Sequence, residues 1–158
     1  MPSPTPQSKS RFAICSRAVD LEGGNKTILV VDDNGAFRRF VRMLLEGGGY
    51  SVLEAQTCAE AVQVVTEYRA PIHLLLTDVM MPQVDGYQLS DYLRFHRPDM
   101  CVLYMSGYSG FSACRPDRSK LNVQILAKPF RKESLLLAVK EALSNGHGVT
   151  QEPSAVQP

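Results

Sequence analysis

Five polar side chains in this 158-residue chain follow directly on short apolar runs. Asp32 and Asp33 come after TILVV, Asp78 closes HLLLTD, Ser106 comes after CVLYM, and Lys128 comes after VQILA. Three carboxylates gathered in one place repel one another and raise one another's pKa unless a cation sits among them. Mg2+, or Mn2+ in its place, resolves that conflict: it prefers oxygen ligands and usually takes one or two carboxylates, with water and substrate phosphate filling the octahedron. In such a set Asp33 and Asp78 bind directly and Asp32 acts through water. A carboxylate can also attack a phosphoryl group and form an acyl phosphate, a transfer that depends on positioning and on neutralising the phosphoryl oxygens. A metal ion and the Lys128 ammonium would supply that neutralisation, and the Ser106 hydroxyl can donate a hydrogen bond to a further oxygen. Every component of an aspartyl-phosphate site is present.

For these side chains to meet, the runs that carry them must be neighbouring strands pointing the same way. Short β-rich runs (TILVV, YSVLEA, HLLLT, CVLYMS, VQILA) alternate with helical patterns, the signature of repeated βαβ units around a parallel sheet. TILVV, HLLLT and CVLYM are apolar nearly throughout, as strands covered by helices on both faces should be, whereas YSVLEA and VQILA carry polar interruptions and suit the sheet edges. In a parallel α/β sheet all strand C-termini lie on one edge, where ligands bind at the point of reversed winding. The five polar residues therefore converge.

The helical segments are marked locally. Phe37, Val41, Leu44 and Leu45 give a helix from about Gly35 to Glu46, stopped by Gly47, Gly48 and Gly49. Thr57 with Glu60 reads as a capping box ahead of Ala61, Val62, Val64 and Val65. Asp85-Gly86 leads into Leu89, Tyr92 and Leu93, and Leu135, Leu136, Val139, Ala142 and Leu143 give the last helix a broad apolar face. A short or irregular helix is expected from about Ser109 to Lys120, where Pro116 interrupts weak periodicity.

Composition limits the partners. Seventeen basic and sixteen acidic residues nearly cancel, so no overall field favours nucleic acid or an anionic membrane, and no apolar stretch approaches the roughly 20 residues of a bilayer-spanning helix. Without a secretory signal the protein is expected in the cytoplasm. Four scattered cysteines form no metal-ligand pattern and read as free thiols, and His73, His96 and His147 read as structural. Residues 1–25 and 146–158 have the composition of flexible tails around one domain at 26–145, with no output domain. Arg38, Arg39 and Arg42 on the first helix read as a solvated face, with an acidic patch on a partner as the alternative.

Taken together, ILVVDDN, LLLTDVMMPQVDGYQL, VLYMSGYS and ILAKPF resemble, in order and spacing, the phosphoacceptor receiver domains of two-component signalling, from about Lys26 to Ser144. TDVMMP and LYMSGY are most similar to receivers found in hybrid histidine kinases. The resemblance implies a flavodoxin-like, doubly wound five-stranded parallel sheet in the order 2-1-3-4-5. It implies that Asp78 is the phosphoacceptor, Asp32 and Asp33 the acidic pair, Met80 a metal ligand through its backbone carbonyl, Ser106 the switch hydroxyl and Lys128 a phosphoryl contact. It also implies a cis Lys128-Pro129 peptide bond, and a histidine kinase or histidine phosphotransfer protein as donor, with a downstream target that the sequence does not identify. Ile125 stands where the family usually has Tyr or Phe, so switching would rest on Ser106 and the backbone or on another aromatic, Tyr104 or Tyr108. Tyr108, two residues after Ser106, is expected to restrict water access to the phosphoryl group. Two rival readings exist: a phosphorylation-independent binding module, and a metal-dependent aspartyl-phosphate phosphatase. Against the second, Met80 occupies the place where such an enzyme needs an acid/base Asp. The chain is thus read as a signal relay and not as a turnover enzyme.

Overall fold

The computed structural model describes residues 25–107 and 123–146. Within them the order is β1 (Thr27–Val31), α1 (Gly35–Glu46), β2 (Ser51–Ala55), α2 (Cys58–Glu67), β3 (Leu74–Asp78), α3 (Gly86–His96), β4 (Cys101–Ser106), β5 (Gln124–Ala127) and α4 (Lys132–Asn145). The five strands form one sheet in the order β2-β1-β3-β4-β5, every pairing parallel. The helix expected between about 109 and 120, and most of both expected tails, lie outside the described residues.

Strand position follows the apolar pattern. All five residues of β1 are buried, as are Leu74–Thr77 of β3 and Leu103–Ser106 of β4, while β2 and β5, with Glu54 and Gln124, form the two edges. Because side chains alternate along a strand, β1 and β3 feed two cores. Ile28, Val30, Leu74 and Leu76 pack with Val41 and Leu45 of α1 and Leu135, Val139 and Ala142 of α4. Leu29, Val31 and Leu75 pack on the other face with Ala61 and Val65 of α2 and Leu89 and Leu93 of α3. No helix among the described residues is long and apolar enough to cross a membrane.

The helix starts differ in one respect from the sequence expectation. Thr57 Oγ1 does accept the Glu60 amide at 3.1 Å, but the Glu60 carboxylate accepts the amide of Gln56 at 2.7 Å and not that of the N-cap. The full capping box instead opens α3, where Asp85 accepts from the Gln88 amide at 2.8 Å and the Gln88 side chain returns to the Asp85 amide at 3.4 Å. Its N-cap is Asp85 where the usual signature has Ser or Thr. Thr57→Ala should cost about 1 kcal/mol through loss of one N-cap bond, lowering the thermal midpoint by roughly 3–5 °C. An unchanged midpoint would show that Glu60 alone sustains the start of α2.

Candidate functional site

The strand ends bring four of the expected groups into one cleft of about 550 Å³, whose lining includes Asp32, Asp33, Asp78, Lys128, Phe37 and Pro129. Asp32 follows β1 and is 1% exposed. Its two carboxylate oxygens are both engaged: Oδ1 accepts the Asn34 amide at 2.8 Å and Oδ2 accepts Lys128 Nζ at 2.8 Å. Asp33, the next residue, is exposed. Asp78 ends β3 half-buried, with Oδ1 accepting the Met80 amide at 3.3 Å and Oδ2 lying 3.3 Å from Lys128 Nζ. Lys128 is delivered by β5, with its own amide bonded to the Ser106 carbonyl at 2.7 Å and a cis peptide bond to Pro129.

Asp32, Asp33 and Asp78 each offer a carboxylate oxygen, and these atoms all lie within 4.8 Å of one another. A single ammonium against three carboxylates leaves net negative charge in a partly dehydrated place. A hard divalent cation fits that donor set in chemistry and in charge. The electrostatics of Asp78 point the same way. Burial pushes its carboxyl above the usual carboxylate range; the Lys128 charge and the Met80 amide pull it back, and the neighbouring Asp32 charge raises it again.

Other expected residues take distinct places. Ser106 ends β4 at 3% exposure and does not line the cleft. Met80 is 63% exposed, and its backbone amide donates to Asp78 Oδ1. Ile125 is 47% exposed on the edge strand and stands in register with Tyr104. Tyr104 is buried, its hydroxyl 2.6 Å from Ser90 Oγ and its ring 4.5 Å from that of Tyr87. Tyr108 lies outside the described residues. His73 has a structural place: its Nδ1 accepts the Thr27 amide at 3.0 Å, holding the start of β1. Cys58 and Cys101 are free thiols.

Two residues of α1 belong to the site although the sequence marked them only as core and as solvated face. Arg38 Nη1 donates to the backbone carbonyl of Asp32 at 2.6 Å while its Nε lies 3.3 Å from Glu54 Oε1. Arg42 pairs with Glu46 and Glu54, each at 2.8 Å, so these two arginines are engaged within the domain. The Phe37 ring lies beneath Lys128, its centroid 4.2 Å from Nζ. The available signal was their position in the first turn of a helix that opens at Gly35, two residues after Asp33.

Comparison with known proteins agrees with this geometry. The family model for the response regulator receiver domain matches residues 28–140. The sensor kinase CckA of Brucella abortus is 34% identical over 127 residues, covering 80% of this chain and 13% of that protein. The response regulator receiver protein CpdR of the same organism is 30% identical over 118 residues, covering 75% of this chain and 97% of that protein. The crystal structure of the receiver domain from the hybrid histidine kinase CckA superposes with a TM-score of 0.61 at 32% identity, covering 74% of this chain and 98% of that one. With the sheet order, the acidic cluster and these matches in agreement, the chain belongs to the family of response regulator receiver domains of two-component signalling.

Proposed function

We propose that this domain relays a two-component signal by accepting a phosphoryl group on Asp78, in a Mg2+-dependent reaction, from a phosphohistidine of a histidine kinase or phosphotransfer protein. The observation that carries the reading is the placement of Asp78 at the mouth of β3 with Asp32 and Asp33 oxygens within 4.8 Å and the Lys128 ammonium at 3.3 Å. An Asp78 carboxylate oxygen bonds to phosphorus as the phosphorus–nitrogen bond of phosphohistidine breaks; the imidazole nitrogen leaves with the electron pair and takes up a proton. Asp33, Asp78 and the Met80 carbonyl would hold a Mg2+ ion, with Asp32 acting through water, and the ion would supply charge neutralisation for the phosphoryl oxygens. Lys128 pairs with one of those oxygens, and the Ser106 hydroxyl turns toward another.

The product carries about −1.5 to −2 charge where the Asp78 carboxylate carried −1, and carries it on three further oxygens at the sheet edge. That charge draws on Ser106 and Lys128 and so biases the surface around β4 and β5, where a target protein reads it. The reaction is stoichiometric acceptance with slow self-hydrolysis, not turnover of an external substrate. Incubation with Mg2+ and acetyl phosphate should incorporate one phosphoryl group per chain, released by hydroxylamine as an acyl phosphate is. Absence of label with both acetyl phosphate and a phosphorylated histidine donor would favour a binding module, and repeated hydrolysis of a small phosphoester would favour a phosphatase.

A further inference from the structure

We propose that Phe37 is a positioning residue for Lys128: its ring face holds the ammonium in the cleft beside Asp78 and so sets the rate of phosphoryl transfer, an inference that rests on Asp78 as acceptor. Lys128 Nζ has three N–H bonds. Two directions are taken by Asp32 Oδ2 at 2.8 Å and Asp78 Oδ2 at 3.3 Å, and the Phe37 ring centroid lies 4.2 Å from the same nitrogen. A cation over a ring face at that range is attracted by the ring quadrupole. The Lys128 side chain as a whole is 19% exposed.

The ring is itself held. The Phe37 amide donates to Asn34 Oδ1 at 3.1 Å in the first turn of α1, and the ring meets Phe130 edge-on at 5.7 Å and Phe40 at 6.4 Å. A lysine stem is flexible and its ammonium strongly hydrated, so by itself it does not stay in one place. Asp32 is the nearer carboxylate and pulls the ammonium away from Asp78. When the Asp78 oxygen becomes part of an acyl phosphate, the ammonium must follow the charge onto a phosphoryl oxygen. The ring face beneath the ammonium keeps it within reach of both positions.

The test uses acetyl phosphate as donor: the Asp78 oxygen bonds to phosphorus, the phosphorus–oxygen bond to acetate breaks, and acetate leaves with the electron pair. Phe37→Leu should slow labelling about five- to tenfold, while Phe37→Tyr and Phe37→Trp, which keep a ring face, should stay within about twofold of the parent. Because Phe37 also packs in the core, the deciding series replaces it with phenylalanines carrying one, two and three fluorines. These keep the shape and weaken the ring face, so the logarithm of the rate should fall steadily along the series. Independently of transfer, the Lys128 ε-methylene protons should be shifted upfield by the Phe37 ring current in the NMR spectrum and return toward the free-lysine position in Phe37→Leu. A flat fluorine series overturns the proposal even if Phe37→Leu is slow, since the residue would then act by packing alone. So does the absence of a ring-current shift in a parent protein that labels normally. A parent that takes no label removes the acceptor reading and the rate claim with it, and the persisting ring-current shift tells that failure apart.

Discussion

Asp78→Asn should lower phosphoryl incorporation by at least about a thousandfold, because an amide oxygen cannot replace the attacking carboxylate, and should at the same time make the metal-free protein more stable. The second effect follows from the raised carboxyl pKa, caused first by burial and then opposed by Lys128. A carboxyl raised above its unfolded value binds a proton more tightly in the fold than in the unfolded chain. Its contribution to stability is therefore fully present in acid, below the unfolded pKa, and is lost as pH rises through the folded pKa. At neutral pH, ionised Asp78 burdens a cleft that already contains Asp32 and Asp33, and removing its charge should raise the thermal midpoint by roughly 2–5 °C. The difference should close as pH falls into the carboxylate range. Adding Mg2+ should reverse the order, since a ligand that binds only the folded parent stabilises it by mass action. Labelling of the variant at the parent rate would remove Asp78 from the acceptor role. A less stable variant in EDTA at pH 7 would instead mean that the ion pair with Lys128 outweighs the cost of burying the charge and the repulsion from Asp32.

The fold was legible because its signals are local and redundant. Continuous apolar runs of strand length in β1, β3 and β4, alternating with helical patterns, suit central strands, and the polar interruptions of β2 and β5 suit the edges. The acidic site was legible for a geometric reason: a residue that directly follows a parallel strand must sit at the sheet's C-terminal edge, so Asp32, Asp78 and Lys128 had nowhere else to meet. What escaped the sequence was pairing across elements. Arg38 and Arg42 carry charges typical of a solvated helix face, and only the approach of β2 brings Glu54 to them. Phe37 has ordinary helical spacing, and its contact with Lys128 depends on where β5 ends, some ninety residues later in the chain. The aromatic missing at Ile125 has a buried neighbour in Tyr104, a relation set by strand register, which periodicity does not give.

Gly86→Ala should damage stability and transfer together, although alanine is the better helix former and Gly86 opens α3. A Cβ at this position would stand 2.3 Å from the Asp78 carbonyl oxygen, 3.1 Å from its carbonyl carbon and 3.2 Å from Thr77 Cγ2. The nearest obstacle is the backbone of the acceptor itself, which no rotamer change can move aside. The Gly86 amide also donates to the Val79 carbonyl at 3.0 Å, so α3 cannot retreat without losing that bond. Either the end of β3 or the start of α3 must shift, at a cost of about 2–4 kcal/mol and a fall of roughly 6–15 °C in the midpoint. A displacement of that kind carries the Asp78 carboxylate away from Lys128, and misplacement approaching 1 Å slows a positioned transfer by about a hundredfold. Gly35→Ala is the matched control. It too is the first residue of a helix beside the site, but its Cβ would meet nothing nearer than Arg38 Nη2 at 3.7 Å, an ordinary contact. Its stability should equal or slightly exceed the parent's. If both variants melt and label like the parent, the close packing of α3 against β3 does not hold Asp78 in place. If Gly86→Ala loses stability but labels at the parent rate, the strand end is held by its sheet pairings and by Lys128 instead.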